Sequence, residues 1–262
     1  MSSGAFRSSA AFRIFVEFVV PPVAFFLIVL VGWDVITGAG FVDPLMLPSP
    51  RDVANELHYG FSSGIFLPHI GTTLAETLIA LLISVVLGVS TAAFVAQSED
   101  VQEVANPILV AFEAFPKIAL APLAITWFGY GIGSKVALAT AIAYFPVLIA
   151  TLAGLAATPQ GQLDLFQALG ASRWQTLVKL KIPYAIPYIL SGINIAVIAA
   201  LIGSIVAEFA GSRAGLGRLI LYANEVLATD RVFAILIVLS TVGILLHFGT
   251  QIARRHLISW AK

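Results

Sequence analysis

The chain has 262 residues, 59% of them hydrophobic and 11% charged, and its basic and acidic side chains cancel to a formal net charge of zero. Soluble domains carry about a quarter charged residues, so this composition excludes an ordinary water-exposed globule and makes lipid the solvent for much of the surface. The neutral balance points away from nucleic acid, and the absence of cysteine excludes disulfides, thiolate catalysis and cysteine-ligated metal.

The first apolar run, residues 18–36, follows Arg7 and Arg13. That order imitates a secretory leader. No small-x-small cleavage motif follows closely, however, and the run is as long as a spanning helix requires, so it is read as a first span. The connection 37–69 holds Leu47-Pro48-Ser49-Pro50, where Ser49 or Pro50 can start a short helix with Val53, Ala54 and Leu57 on one face, lying on the outer surface. Further apolar runs at 72–96, 105–127, 136–157, 187–207 and 232–253 complete six spans. In hydrocarbon the backbone must satisfy its own polar groups, so each run is predicted helical, and the short alternating segments of a barrel are missing. The expectation is an all-α membrane protein forming one transmembrane domain over residues 1–262, without a soluble domain or internal repeat.

Lys and Arg set the orientation. One side would hold Arg7, Arg13, Arg173, Lys179, Lys181, Arg254, Arg255 and Lys262; the other Arg51, Lys135, Arg213, Arg218 and Arg231. The bias predicts both termini in the cytoplasm, although the 97–103 loop on that side carries Glu99, Asp100 and Glu103 and no base.

The longest polar stretch between spans is the cytoplasmic loop 158–181. Leu163, Phe166 and Leu169 form one stripe of a short helix, and Gly170 permits a sharp turn. A second helical stretch from Ser172 carries Trp174, Leu177 and Val178, with Pro183 helping to end it. Such a helix–Gly–helix element suits either docking into a partner's groove or resting on lipid headgroups, and the residues alone leave both open.

In this loop the sequence resembles the permease subunits of bacterial ABC importers. Their signature runs Glu-Ala-Ala, three residues, Gly, nine residues, Ile-x-Leu-Pro. Gly170 takes the glycine place, Leu180-Lys181-Ile182-Pro183 the last place, and Asp164-Leu165-Phe166 the first, where only the acidic position is kept in kind. The resemblance continues through Phe115-Pro116-Lys117-Ile118-Ala119-Leu120-Ala121-Pro122-Leu123, Trp127-Phe128-Gly129-Tyr130-Gly131, Leu47-Pro48-Ser49-Pro50, and Ala207-Glu208-Phe209 before Gly215-Leu216-Gly217, and is most specific for the nitrate/sulfonate/taurine branch.

The resemblance implies a type I importer permease in the bacterial inner membrane, working beside a second copy of itself. Two ATP-binding subunits would hold ATP and Mg, so this chain would carry no cofactor. An extracytoplasmic binding protein would deliver a small solute. Asp164, Phe166, Gln167, Ala168, Leu169, Gly170, Ala171, Ser172 and Arg173 would form the ATPase-coupling segment. The substrate class it implies is a small anion of the sulfonate, taurine or nitrate kind, with pyrimidine precursors, flavins or aromatic acids carried by related machinery.

Charged groups at bilayer depth cost about 2.5–3.5 kcal/mol on insertion scales and face partners or water. Glu113 and Lys117 stand four apart in the third span, in the helix-favoured order. They either neutralise each other or meet substrate. Pro116 and Pro122 beside them predict a broken helix, which is how many transporters build a site. Glu208 is a pathway candidate that would equally mark the membrane surface; Asn194 is a second, although its amide would more often bridge helices. Glu76 reads as an anchor near the outer end of the second span. On the fifth span, Gly192/Ala196 and Ala199/Gly203 have small-xxx-small spacing, for contact within the chain or across a dimer. His58, His69, His247 and His256 lack metal-ligand spacing, no phosphate loop is present and no nucleophile–base pair can be named, so an enzyme is not expected. A self-sufficient channel or ion-coupled transporter is the competing class; it has no need of the Gly170 loop.

Overall fold

The computed structural model describes residues 20–257. Arg7, Arg13 and Lys262 of the orientation argument lie outside the described residues, as do the first two residues of the 18–36 span. In chain order the helices are α1 Val20–Gly38, α2 Pro50–Ser62, α3 Phe66–Val95, α4 Glu99–Ala114, α5 Ala121–Phe128, α6 Ile132–Ala156, α7 Gln160–Ala168, α8 Arg173–Thr176, α9 Ile182–Gly211, α10 Leu216–Glu225 and α11 Thr229–Leu257. No strand occurs among the described residues. Five helical stretches are long and apolar enough to cross a membrane, and the bent pair α4–α5 makes up to six. The all-α, multi-span class expected from composition is what the chain adopts.

Two compact units divide the chain. One holds the described part of Met1–Ser63 with Ala223–Leu236. There α2 begins at Ser49, whose hydroxyl accepts from the Asp52 amide (3.2 Å), with Pro50 supplying a first-turn residue that needs no amide partner. Val53 and Gly60 are buried and Leu57 half-buried. Ala54, expected on the same face, is exposed, because the inward stripe runs at i, i+4, i+7 from Val53. Arg231 binds Glu56 (Nε–Oε2 3.0 Å), Trp33 donates to the Pro48 carbonyl (2.9 Å), and the rings of Trp33 and Phe233 stand 5.9 Å apart.

The other unit, Gly64–Tyr222 and Ile237 onward, is centred on α6, packed against α3 and α9. Small residues make this close. A Cβ on Gly192 would stand 2.6 Å from the Ala150 Cβ, one on Gly203 2.7 Å from the Ala139 Cα, and one on Gly88 3.0 Å from the Val147 Cβ. Ala139, Ala143, Ala185, Ala196 and Ala200 are fully enclosed. The small-xxx-small pattern of the fifth span is therefore spent within this chain, on α6. Outward faces carry Leu82, Val86, Ile195 and Ile202, as lipid requires.

Two sequence expectations need correction, and one is sharpened. The third span, expected at 105–127 and broken beside Pro116 and Pro122, breaks at the first of these prolines. α4 starts at Glu99, and the chain bends by 73° around Phe115-Pro116 before a 3₁₀ turn, Lys117–Leu120, leads into α5. Pro116 lacks the amide needed to continue α4. Pro183 does not help end the second cytoplasmic helix; it occupies the first turn of α9, where a missing amide costs nothing, and a π turn at Leu177–Lys181 joins α8 to it. Lys135, counted as a loop cation, lies in α6 and is 0% exposed.

Candidate functional site

The loop between α6 and α9 folds as a helix–glycine–helix knuckle. α7 ends at Ala168, and Gly170 takes φ +72°, a left-handed value that glycine adopts without Cβ strain. Ser172 then caps α8, its hydroxyl accepting from the Gln175 amide (3.2 Å) while the Gln175 side chain accepts from the Ser172 amide (2.9 Å), a reciprocal capping box. Leu163 and Phe166 are half-buried and Leu177 is enclosed, tying the knuckle to the bundle. Leu169 leaves that stripe, because the turn at Gly170 has already begun, and is 74% exposed. Leu165 and Trp174 are exposed too. Behind the knuckle, Gln97, Gln102, Thr158, Gln167, Arg173 and Lys181 line a polar cleft of about 590 Å³.

At the broken span the Lys117 ammonium donates to the Glu113 backbone carbonyl (2.8 Å), not to its carboxylate, and sits 4.3 Å from the Phe145 ring centroid. No Glu113–Lys117 ion pair forms among the described residues. The Glu113 carboxylate is exposed instead. Lys117 borders a cavity of about 530 Å³ walled mainly by Phe112, Phe115, Leu120, Tyr144 and Phe145.

Glu208 is 0% exposed. Its Oε1 accepts from the Thr73 hydroxyl (2.7 Å) and its Oε2 from the Gly217 amide (2.5 Å), while the Leu216 amide donates to Thr73 Oγ1 (2.9 Å). His69 Nδ1 accepts from the Gly215 amide at 3.0 Å. Gly215, at φ +112°, lets the turn pass directly over the carboxyl, where any Cβ would overlap it. The Gly215-Leu216-Gly217 motif is thus a cradle for Glu208.

Glu76, 2% exposed, brings its carboxyl against that of Glu208, and its Oε2 is buried without a hydrogen-bond partner. Lys135, donating to the Tyr130 carbonyl (2.7 Å), supplies a positive charge near both. Sequence reading passed over Glu76 and Lys135 as a site. The available signal was that both ionisable side chains sit on helices otherwise apolar enough to cross a membrane. Asn194 accepts from the Thr250 hydroxyl (2.7 Å), bridging α9 to α11.

The four pathway candidates therefore fall into separate places. Glu113 and Lys117 stand by the aromatic cavity, Glu208 is enclosed in a polar cluster, and Asn194 joins two helices.

Comparison with known proteins agrees with this architecture. A family model described as "Binding-protein-dependent transport system inner membrane component" matches residues 84–259. The chain is 36% identical over 222 residues to a probable ABC transporter permease protein of Haemophilus influenzae, covering 85% of this chain and 90% of that one. It is 35% identical over 245 residues to the formylaminopyrimidine transport permease protein ThiX of Halalkalibacterium halodurans, covering 92% and 96%. Its fold is similar to that of the inward-facing MetNI methionine ABC transporter, with a TM-score of 0.64 at 19% identity, over 73% of this chain and 95% of that one.

Proposed function

The chain belongs to the family of binding-protein-dependent transport system inner membrane components, and from that premise we propose that it works in a pair of permease chains driven through the Gly170 knuckle by separate ATP-hydrolysing subunits. It is a multi-pass membrane permease of an ABC importer, so the self-sufficient channel weighed from sequence is set aside. In the proposed mechanism the partner subunits bind ATP and Mg. Their closure pulls Asp164, Phe166, Gln167, Ala168, Leu169, Gly170, Ala171, Ser172 and Arg173 of each copy together. An external binding protein supplies a small solute, and the bundle alternates between inward-open and outward-open states. Coupling requires that each state bind nucleotide and solute with different affinity.

The observation that carries this reading is the exposed apolar tip of the knuckle. Leu165, Leu169 and Trp174 are 56%, 74% and 67% exposed, on a stretch too short and polar to span lipid. A groove on a partner would cover them. Both termini then lie on the cytoplasmic side with the knuckle. Gly170→Asp tests the coupling: the left-handed φ resists a side chain and the added charge resists docking. Uptake is expected to vanish while membrane abundance holds; a variant that transports normally refutes coupling through this loop. Orientation is read independently by single-cysteine labelling, since the chain has no cysteine of its own. Gln167→Cys should react only with reagents admitted to the cytoplasm.

The substrate is a small solute, and organic anions of the sulfonate kind and heteroaromatic compounds are the two classes in view. The name of the Halalkalibacterium relative, a formylaminopyrimidine permease, supports the second.

A further inference from the structure

We infer that the cavity beside the broken span is a substrate-recognition site for an aromatic or heteroaromatic organic anion, with Lys117 pairing the negative group and Phe112, Phe115, Tyr144 and Phe145 holding the ring. This rests on the importer reading above and deepens it. The cavity measures about 530 Å³, within the range of small-ligand sites. Its walls are apolar apart from the Lys117 ammonium and the Tyr144 hydroxyl. The rings of Tyr144 and Phe145 stand 5.0 Å apart, edge to face at 85°, so each holds the other's orientation at the cavity wall.

Lys117 is the polar anchor. Its ammonium spends one donor on the Glu113 carbonyl and rests on the Phe145 face, and no carboxylate pairs with it among the described residues. Two donors remain for a ligand. An anion there gains a charge-assisted hydrogen bond. The 73° break brings this about, because it turns Lys117 off the line of α4 and opens space under α4 against α6.

Other occupants fit less well. The acyl chain of an uncharged lipid would match the walls but leave the ammonium without an anion. Nitrate would satisfy Lys117 and leave most of the cavity unfilled. A neutral polyol would find only two polar side chains for its hydroxyls. A ring bearing one sulfonate or carboxylate satisfies both halves of the site.

The test uses the purified full-length permease in lipid nanodiscs, titrated with 2-naphthalenesulfonate and followed by its fluorescence. Cyclohexanesulfonate and 2-naphthalenemethanol serve as competitors lacking the aromatic ring and the charge. Saturable binding is expected, with each competitor at least about tenfold weaker. Lys117→Gln should weaken binding by about tenfold or more, Lys117→Arg should retain most of it, and Phe145→Leu should narrow the gap between aromatic and cyclohexyl anions. Non-saturable uptake, binding unchanged in Lys117→Gln, or equal affinity for the aromatic and aliphatic sulfonates would overturn the site. The importer reading fails separately: it falls if Gly170→Asp transports normally, whatever the probe binds. A Lys117→Gln chain that binds the probe as wild type removes the site and leaves the importer.

Discussion

Replacing Gly215 by alanine places one methyl group where the turn crosses the Glu208 carboxyl, and the consequences can be worked through from the contacts. The Cβ cannot be accommodated beside Glu208, and Gly217 and Thr73 already hold both carboxyl oxygens. Alanine at φ +112° also carries backbone strain of about 1–3 kcal/mol. Displacing the carboxyl forfeits two hydrogen bonds at about 1 kcal/mol each, more if an oxygen is left buried and unpaired. The sum is a loss of about 3–5 kcal/mol in a segment that joins α9 to α10. Denaturation of the purified chain in detergent, read by tryptophan fluorescence, measures it. Glu208→Ala separates the parts, since it removes the overlap and leaves the strain. The double variant should be more stable than the two single losses predict, by at least about 1 kcal/mol. Strict additivity, or a Gly215→Ala chain as stable as wild type, would refute the cradle.

Three other substitutions probe packing, helix propensity and hydrogen bonding. Gly192→Ala drives a methyl to within 2.6 Å of Ala150 and 3.0 Å of the Pro146 carbonyl, and should cost about 1–3 kcal/mol in the same unfolding assay. Gly161→Ala, in the open at α7, should be neutral or stabilising by up to about 1 kcal/mol. Thr250→Val deletes the hydrogen bond to Asn194 and should cost about 0.6–1.7 kcal/mol. Uptake that collapses in Thr250→Val while stability is untouched would contradict a bridging role for the pair.

Much of this architecture was legible because hydrocarbon enforces it. A run of apolar residues longer than a bilayer core has one backbone solution, so five of the six runs translate into spans with little ambiguity and the third into the bent pair. Pro116 announced the break in the third, and Gly170 and Ser172 announced the knuckle, because a left-handed turn and a helix cap each need a particular residue type. The polar cluster was less legible. Glu76 and Lys135 each sit in apolar stretches whose averages hide a single charge, and what encloses them is residues far along the chain, Glu208 above all. Pro183 misled for a related reason. Proline both ends helices and starts them, and only the π turn before it decides which. The helices also run past the apolar windows at the start of α3 and at both ends of α9, since caps and tertiary contacts set their limits and hydropathy does not.

That π turn has a mechanical consequence. By keeping α8 and α9 in one unbroken stretch from Arg173 to Gly211, 39 residues in all, it makes a single rod about 58 Å long at 1.5 Å per residue. One end carries the knuckle's last capped turn and the other carries Glu208 in its glycine cradle. A twist applied to the near end has one continuous helical path to the far end, through the π turn and past Pro183 and Pro187, so the two extremities of this stretch share a single backbone element.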